Sequence, residues 1–251
     1  MSIPKIIHYC WFGGNPLPES AIKCINSWKE FCSDYEIIEW NERNFDINMN
    51  GYTRMCYEQK KFAFLSDYVR LLVIYQNGGL YFDTDVELIK NPDYLLENKA
   101  FFGFENDNYV ATGLGFGAEP KNKVVNQMIK EYDKLIDGNH GTVVCPKLNT
   151  TALLKFGLVL DGSLQNIEGN MIYPPDYFCP KDYYTERIKL TENTIAIHHF
   201  TKSWCEKESI WKRYLRMHPK FNSFVHIPNK IGAKLLGKHY QNLKRHLKGE
   251  N

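Results

Sequence analysis

No apolar run in this 251-residue chain approaches the ~18 residues that a bilayer-spanning helix needs. No Cys-x-x-Cys occurs, and the seven cysteines are an odd, scattered set. That argues against a disulfide scaffold or a zinc site and for free thiols in a reducing compartment. Neither sign of charge dominates: 31 Lys+Arg less 29 Asp+Glu leaves +2, so bulk charge names no partner. The opening Met-Ser-Ile-Pro has no basic-then-apolar leader, so no signal peptide is expected and a cytoplasmic location is. Internal repeats and low-complexity tracts are missing too. What is present is a globular composition, 43% hydrophobic and 14% aromatic, long enough for one domain with a substantial core. Sixteen tyrosines and fifteen phenylalanines suit stacking on carbohydrate or nucleotide, and suit an aromatic core equally well.

The informative stretch runs from Ser66-Asp67-Tyr68-Val69-Arg70 through an apolar run to Gln76, then Asn77-Gly78-Gly79-Leu80-Tyr81-Phe82-Asp83-Thr84-Asp85-Val86. Leu71, Leu72, Ile74 and Tyr75 fall at helical spacing, which predicts a helix with one buried face. Asp67 and Arg70, three apart, share a face of it. The glycines supply a C-terminal cap where the backbone needs a left-handed residue. Leu80-Tyr81-Phe82 reads as a short buried strand, and Asp83 and Asp85 as two carboxylates pointing to one side of extended chain. Converging carboxylates are costly unless a cation neutralises them, and hard oxygen ligands suit Mg²⁺ or Mn²⁺. An Asp-x-Asp pair alone is a weak signal; the ordered series of helix, Gly-Gly turn, aromatic strand and paired carboxylates is a stronger one.

Ser66-Asp67-x-x-Arg70 followed by Gly78-Gly79-x-Tyr81-x-Asp83-x-Asp85 resembles glycosyltransferase family 32, the group with an Asp-x-Asp sugar-binding region, of bacterial capsular or surface-polysaccharide type. It is also similar to the glucosyltransferase domain of the large clostridial toxins. The resemblance implies an α/β fold of GT-A type, a nucleotide-sugar donor, a divalent metal, and retention of the anomeric configuration. On that basis Asp85 is a metal ligand. Asp83 bridges ribose and donor sugar and makes a further contact to the metal, with Thr84 beside it. Asp67 accepts hydrogen bonds from donor-sugar hydroxyls, Arg70 meets sugar or diphosphate oxygens, and Ser66 and Tyr81 support the pocket. Asp67, Arg70 and Asp83 are the candidate catalytic residues; no strong nucleophile emerges.

Elsewhere the chain alternates strand and helix, which predicts a mostly parallel sheet flanked by helices. Ile3 to Tyr9 reads as a first strand running into Cys10-Trp11-Phe12-Gly13-Gly14. A Trp beyond a strand end can stack on a base or fill the core. The toxin domain has a similar Trp-x-Gly-Gly loop, and by that resemblance Trp11 stacks on uracil and Cys10 offers backbone bonds to the base. His8 reads as a core residue. Pro18 to Phe31 is an expected helix with Ile22, Ile25 and Trp28 on one face, and Glu36 to Trp40 a second strand. The resemblance puts a further nucleotide contact near Asn41. Helices are expected over 51–59, 121–136 and 150–160, and strands over 86–89, 100–104 and 110–117. Between the last two, the polar Glu105 to Asn108 turn is a hairpin loop or an acceptor contact. Family 32 members often carry an Asn-Asn pair in the second of those strands, where this chain has Ala111-Thr112-Gly113.

The second informative stretch is Ile195 to Trp204, a strand ending in His198-His199 and a loop holding Ser203-Trp204. Adjacent histidines face opposite sides of a strand, so at most one meets a metal. By resemblance, His198 is the third ligand, with His199 the runner-up, and Ser203 and Trp204 close over the diphosphate. A neutral imidazole is an acceptable ligand for Mn²⁺.

A domain over 1–217 and a basic helical extension over 218–251 are expected. In the extension Ile231, Leu235, Leu236, Tyr240, Leu243 and Leu247 recur at near-helical spacing among lysines and arginines. Such a helix packs on the domain or lies peripherally on an anionic membrane face. Nucleic acid is not an expected partner, since no recognition motif accompanies the basic tail. The expected activity is transfer of a sugar from a nucleotide sugar, UDP-linked by the Trp11 loop, to a glycan or lipid-linked saccharide. The rivals are a non-catalytic nucleotide-sugar-binding protein and a metal-dependent nucleotidyltransferase. Against the latter, no Lys or Arg follows Gly13-Gly14 to cradle phosphate.

Overall fold

A computed structural model describes residues 3–183 and 185–201. The chain divides into two compact units. The larger carries everything that follows; of the smaller, only the turn at 182–187 falls among the described residues. The boundary expected near residue 217, the basic extension, and Ser203 and Trp204 lie outside them.

The apolar N-terminal segment forms β1 (Ile6–Cys10), a central strand. It pairs in parallel with β2 (Glu36–Trp40) on one side and β3 (Gly79–Tyr81) on the other. Beyond β3 come β7 (Phe116–Ala118), β5 (Ala100–Asn106), β9 (Asn170–Tyr173) and β8 (Gln165–Ile167), with β6 (Tyr109–Val110) beside β5. Strands β2, β1, β3, β5 and β9 share one direction, while β7 and β8 oppose it, so the sheet is mostly parallel. A small second sheet pairs β4 (Val86–Leu88) with β10 (Ala196–His198), antiparallel.

Strand periodicity divides the interior into two cores. Tyr81, Phe102 and Phe104 face one side, covered by α2 (Gly51–Glu58), α3 (Phe62–Asn77), α4 (Lys123–Lys130) and α5 (Cys145–Leu154). Leu80, Phe82 and Phe101 face the other, with α1 (Glu19–Phe31) and α6 (Pro175–Phe178). Trp28 of α1 is fully buried, lies against Tyr9 and Phe82, and donates its indole N–H to Val86 O at 2.7 Å. Ser27 Oγ accepts from Leu88 N at 2.9 Å. Helix α1 therefore fixes the strand that follows the paired carboxylates.

Four expectations are corrected here. Ile22 is 45% exposed, because the inward face of α1 is Ala21, Cys24, Ile25 and Trp28. Helix α5 spans Cys145–Leu154, not 150–160; Pro146 sits in its first turn, where a missing N–H costs nothing. Residues 110–117 do not form one strand: Thr112–Leu114 coil into a 3-10 turn, and Gly115 re-enters the sheet at φ 119. A Cβ on Gly115 would also lie 2.7 Å from the Phe82 ring. The helix expected over 121–136 is regular only at Lys123–Lys130, behind an Asn122 cap that accepts from Val124 N and Val125 N.

His8 is the buried core histidine its sequence position suggests. Its Nε2 lies 3.0 Å from Gly78 O, so it carries the proton; its Nδ1 accepts the Trp40 indole N–H at 3.0 Å. Both nitrogens are satisfied in one neutral tautomer, and a second proton on Nδ1 would face a donor. Burial pushes the imidazole down to about 4, against the Gly78 bond, which favours the charged form. In the unfolded chain the same group titrates near 6.5. Between pH 6.5 and 4 the unfolded state therefore binds the extra proton, and stability should fall with pH across that window by roughly 3 kcal/mol. Urea midpoints at pH 7 and 4.5, for wild type and His8→Leu, check this. An acid loss as large in the variant as in wild type would assign it to other groups.

Candidate functional site

The site grows out of α3 and β3. Helix α3 buries Leu65, Tyr68, Val69, Leu71, Val73 and Ile74, and this packing carries Asp67 and Arg70 on an adjoining face. The helix stops at Gly78 (φ 69), and Gly79 (φ 99) starts β3. Both need left-handed backbone, and a Cβ on Gly79 would meet Ile6 O at 2.7 Å. The chain thus reverses within two residues, which brings Asp83 back beside Arg70.

Asp83 and Asp85 do not converge by strand alternation, as the spacing suggested. Strand β3 ends at Tyr81, and Val86 N donates to Asp83 O at 2.9 Å, closing a turn through Thr84 and Asp85. The turn places the carboxylates together. One oxygen of each, with one His198 nitrogen, forms a set whose atoms all lie within 4.8 Å of one another.

Arg70 is the hub. It is 2% exposed, and its Nη2 lies 2.9 Å from both Asp67 Oδ1 and Asp83 Oδ1. Its guanidinium carbon lies 4.9 Å from the Tyr81 ring centre, and Tyr81 donates its hydroxyl to Asp83 Oδ1 at 3.2 Å. The fork expected to reach sugar or diphosphate oxygens is thus engaged by two carboxylates. Burial opposes the charge on Arg70, but Asp83 and Asp67 hold it protonated. Burial also pushes Asp83 up to about 6, against the pull of Arg70 and with the repulsion of Asp85. Burial raises Asp67, again opposed by Arg70.

Asp85 behaves differently. Burial works to raise it, yet it is held well below the usual carboxylate range by His198 and by hydrogen bonds from Thr201. His198 Nε2 lies 3.2 Å from Asp85 Oδ1. Burial works against the imidazolium, and Asp85 outweighs it, so His198 is raised. His199 makes a different contact, with Nε2 2.7 Å from Glu87 Oε2, so it is His198 that stands with the two carboxylates.

The donor set, two carboxylates and an imidazole, fits a divalent cation of borderline hardness such as Mn²⁺ better than Mg²⁺, which prefers oxygen throughout. His198 Nδ1 is buried with no hydrogen-bond partner among the described residues.

The residues expected to meet the base stand at the ends of β1 and β2. Cys10 ends β1 and is buried, its thiol pushed up to about 12 by burial. Trp11 follows it, half-buried, its indole N–H on Asn15 O at 2.6 Å. Asn41 follows β2, its side chain donating to Glu39 Oε1 at 2.6 Å and accepting from Arg43 N at 2.9 Å. Ser66 and Thr84 are part-buried, the first one turn before Arg70, the second inside the carboxylate turn.

Three contributors escaped sequence reasoning. A Cβ on Gly113 would lie 2.6 Å from Asp83 Oδ2 and 3.1 Å from Arg70 Nη1. The Ala111-Thr112-Gly113 departure noted above is therefore where the 3-10 turn closes against the carboxylate. Cys145, at the start of α5, lies with its sulfur 4.0 Å from Arg70 Nη1. Thr201 donates to Asp85 Oδ2 from its N–H at 2.8 Å and its hydroxyl at 3.1 Å. Gly113 and Thr201 lie in segments singled out above from the sequence, but nothing local marks their contacts, and nothing marks Cys145 at all.

Sheet, flanking helices and a carboxylate turn at the end of a central strand define an α/β domain of GT-A type. The solved structure titled PaToxG Glycosyltransferase superposes with a TM-score of 0.51 at 18% identity, over 61% of this chain and 69% of that one. Residues 18–102 match the family described as "Glycosyltransferase sugar-binding region containing DXD motif". Inositol phosphoceramide mannosyltransferase 3 of Schizosaccharomyces pombe is 29% identical over 104 residues, 40% of this chain and 29% of the relative. Inositol phosphoceramide mannosyltransferase 1 of the same organism is 27% identical over 150 residues, 53% of this chain and 43% of the relative. The chain spans less than half the length of these curated relatives.

Proposed function

We propose that this protein is a divalent-metal-dependent, retaining glycosyltransferase of family 32 type. It would move a sugar from a nucleotide sugar to a glycan or lipid-linked saccharide in surface polysaccharide synthesis. One observation carries the reading: inside the stretch that matches the sugar-binding family, Arg70 bridges Asp67 and Asp83 at 2.9 Å, and Asp83 and Asp85 meet His198, which comes from beyond that stretch.

A bound divalent cation, held by Asp83, Asp85 and His198, would neutralise the charge of a diphosphate leaving group. The chain's own residues do the rest. Arg70 pulls against the burial that raises Asp67 and Asp83 and keeps both carboxylates aimed, a charge-assisted pairing that water-exposed side chains could not keep rigid. Asp67, with one oxygen on Arg70, offers its other oxygen to donor-sugar hydroxyls. Tyr81 holds Asp83 through its hydroxyl. Trp11, at the C-terminal end of β1 where open α/β sheets bind ligands, is the proposed base platform, with Cys10 and Asn41 beside it. Ser203 and Trp204 are the proposed closing residues over the diphosphate. The basic extension is proposed to hold the enzyme peripherally on the inner membrane face, next to a lipid-linked acceptor.

The Trp11 loop favours a UDP-linked donor, whereas the relatives' names point to mannose. Donor hydrolysis with Mn²⁺ should therefore be read across a panel containing UDP-glucose, UDP-galactose, UDP-N-acetylglucosamine and GDP-mannose. One donor should be turned over, and excess EDTA should stop it. Undiminished turnover in EDTA would remove the metal from the reading. Nucleotide binding with no turnover of any donor would leave the non-catalytic binding protein as the better account.

A further inference from the structure

Asp85 enters the site with both oxygens already directed. Oδ1 lies 3.2 Å from His198 Nε2, while Oδ2 accepts the Thr201 N–H at 2.8 Å and the Thr201 hydroxyl at 3.1 Å. The backbone is tied at the same place, since His199 N donates to Asp85 O at 2.9 Å. The register of β10 on β4 sets His198 opposite Val86, so the chain leaving β10 passes directly over Asp85.

Phe200 makes the passage possible. It takes φ 54, a left-handed conformation that a bulky aromatic residue rarely adopts. On either side of this kink, the N–H groups of His199 and Thr201 both reach Asp85. The Phe200 ring packs edge-on to the His198 imidazole, with centroids 4.2 Å apart. Strained backbone persists where the surroundings over-determine it, and here the surroundings are two candidate metal ligands.

We infer that Thr201 is a positioning residue for Asp85: its two donors hold Oδ2 and leave Oδ1 as the oxygen presented beside Asp83 and His198. The inference rests on the reading of Asp83, Asp85 and His198 as a divalent-metal site. Four consecutive residues then supply one ligand, His198, and the group that orients another. A carboxylate on a turn between two short strands would otherwise rotate about its side-chain bonds and lose the preorganisation that outer-shell partners give a metal site. The β-branched threonine suits this, because its side-chain rotation is itself restricted.

The test uses the full chain and Mn²⁺ alone, with free Mn²⁺ followed by electron paramagnetic resonance during titration. Thr201→Val keeps the shape and the backbone N–H but removes the hydroxyl. Mn²⁺ affinity should fall about tenfold, the lower end of outer-shell effects, since one of two bonds remains. Thr201→Ser should restore it, and Asp85→Ala should abolish binding. Thr201 is exposed, so thermal midpoints of both threonine variants should match wild type. Wild-type Mn²⁺ affinity in Thr201→Val, with binding lost in Asp85→Ala, would overturn this inference and leave the metal site standing. Equal weakening in Thr201→Ser and Thr201→Val would also overturn it, since the hydroxyl would not be the acting group. No Mn²⁺ binding by wild type would overturn both readings.

Discussion

Replacing Arg70 with leucine should destabilise the protein by about 3–5 kcal/mol and remove its activity, because the change strands two carboxylates that share one buried cation. Arg70 is 2% exposed, and Asp67 and Asp83 both lie 2.9 Å from its Nη2. Its Nε also donates to Ser66 O at 3.2 Å, and its face lies over Tyr81. For a chain of this size the loss corresponds to a fall in Tm on the order of 10 °C, read by calorimetry or a dye melt. Arg70→Lys keeps the charge without the planar fork. It should recover part of the Tm and little of the donor hydrolysis, because one ammonium cannot hold the same set of partners. An Arg70→Leu protein that melts with wild type would show that the two carboxylates stand without it.

Asp85→Ala should also act strongly on chemistry, but with a smaller effect on stability. Asp85 is the carboxylate kept ionised, by His198 and Thr201, so on the proposed reading its loss removes a metal ligand beside the diphosphate. The charge stabilisation a bound cation offers a leaving group is several kcal/mol; a loss of roughly 4 kcal/mol is about a thousandfold in rate. Donor hydrolysis in saturating Mn²⁺ and Mn²⁺-dependent nucleotide binding should both collapse. The melting temperature should move little, since the Arg70 cluster and the Trp28 anchor on Val86 remain. Retention of both activities by a folded Asp85→Ala protein would move the metal site elsewhere.

Much of this was legible in the chain because it is local. The α3 helix shows in its apolar spacing, its end in Asn77-Gly78-Gly79, and the Asp67–Arg70 pair in a separation of three residues. Strand β2 lies at Glu36–Trp40 as its composition suggests. The division of labour between adjacent histidines follows from strand geometry alone, though which of them faces the carboxylates does not. That was decided by β10 pairing with β4, a contact across more than a hundred residues.

Helix ends, strand periodicity and intrahelical pairing are short-range consequences of backbone geometry, and residues within a few positions of one another carry them. The carboxylate turn also closes locally, yet its geometry was hidden because Asp-x-Asp reads the same in a strand and in a turn. Gly113 against Asp83, Cys145 against Arg70 and Thr201 on Asp85 are contacts between elements far apart in the chain. No periodicity or spacing encodes such a meeting. It exists only once burial of the two cores has brought α5, the 3-10 turn after β6 and the end of β10 to the same strand end.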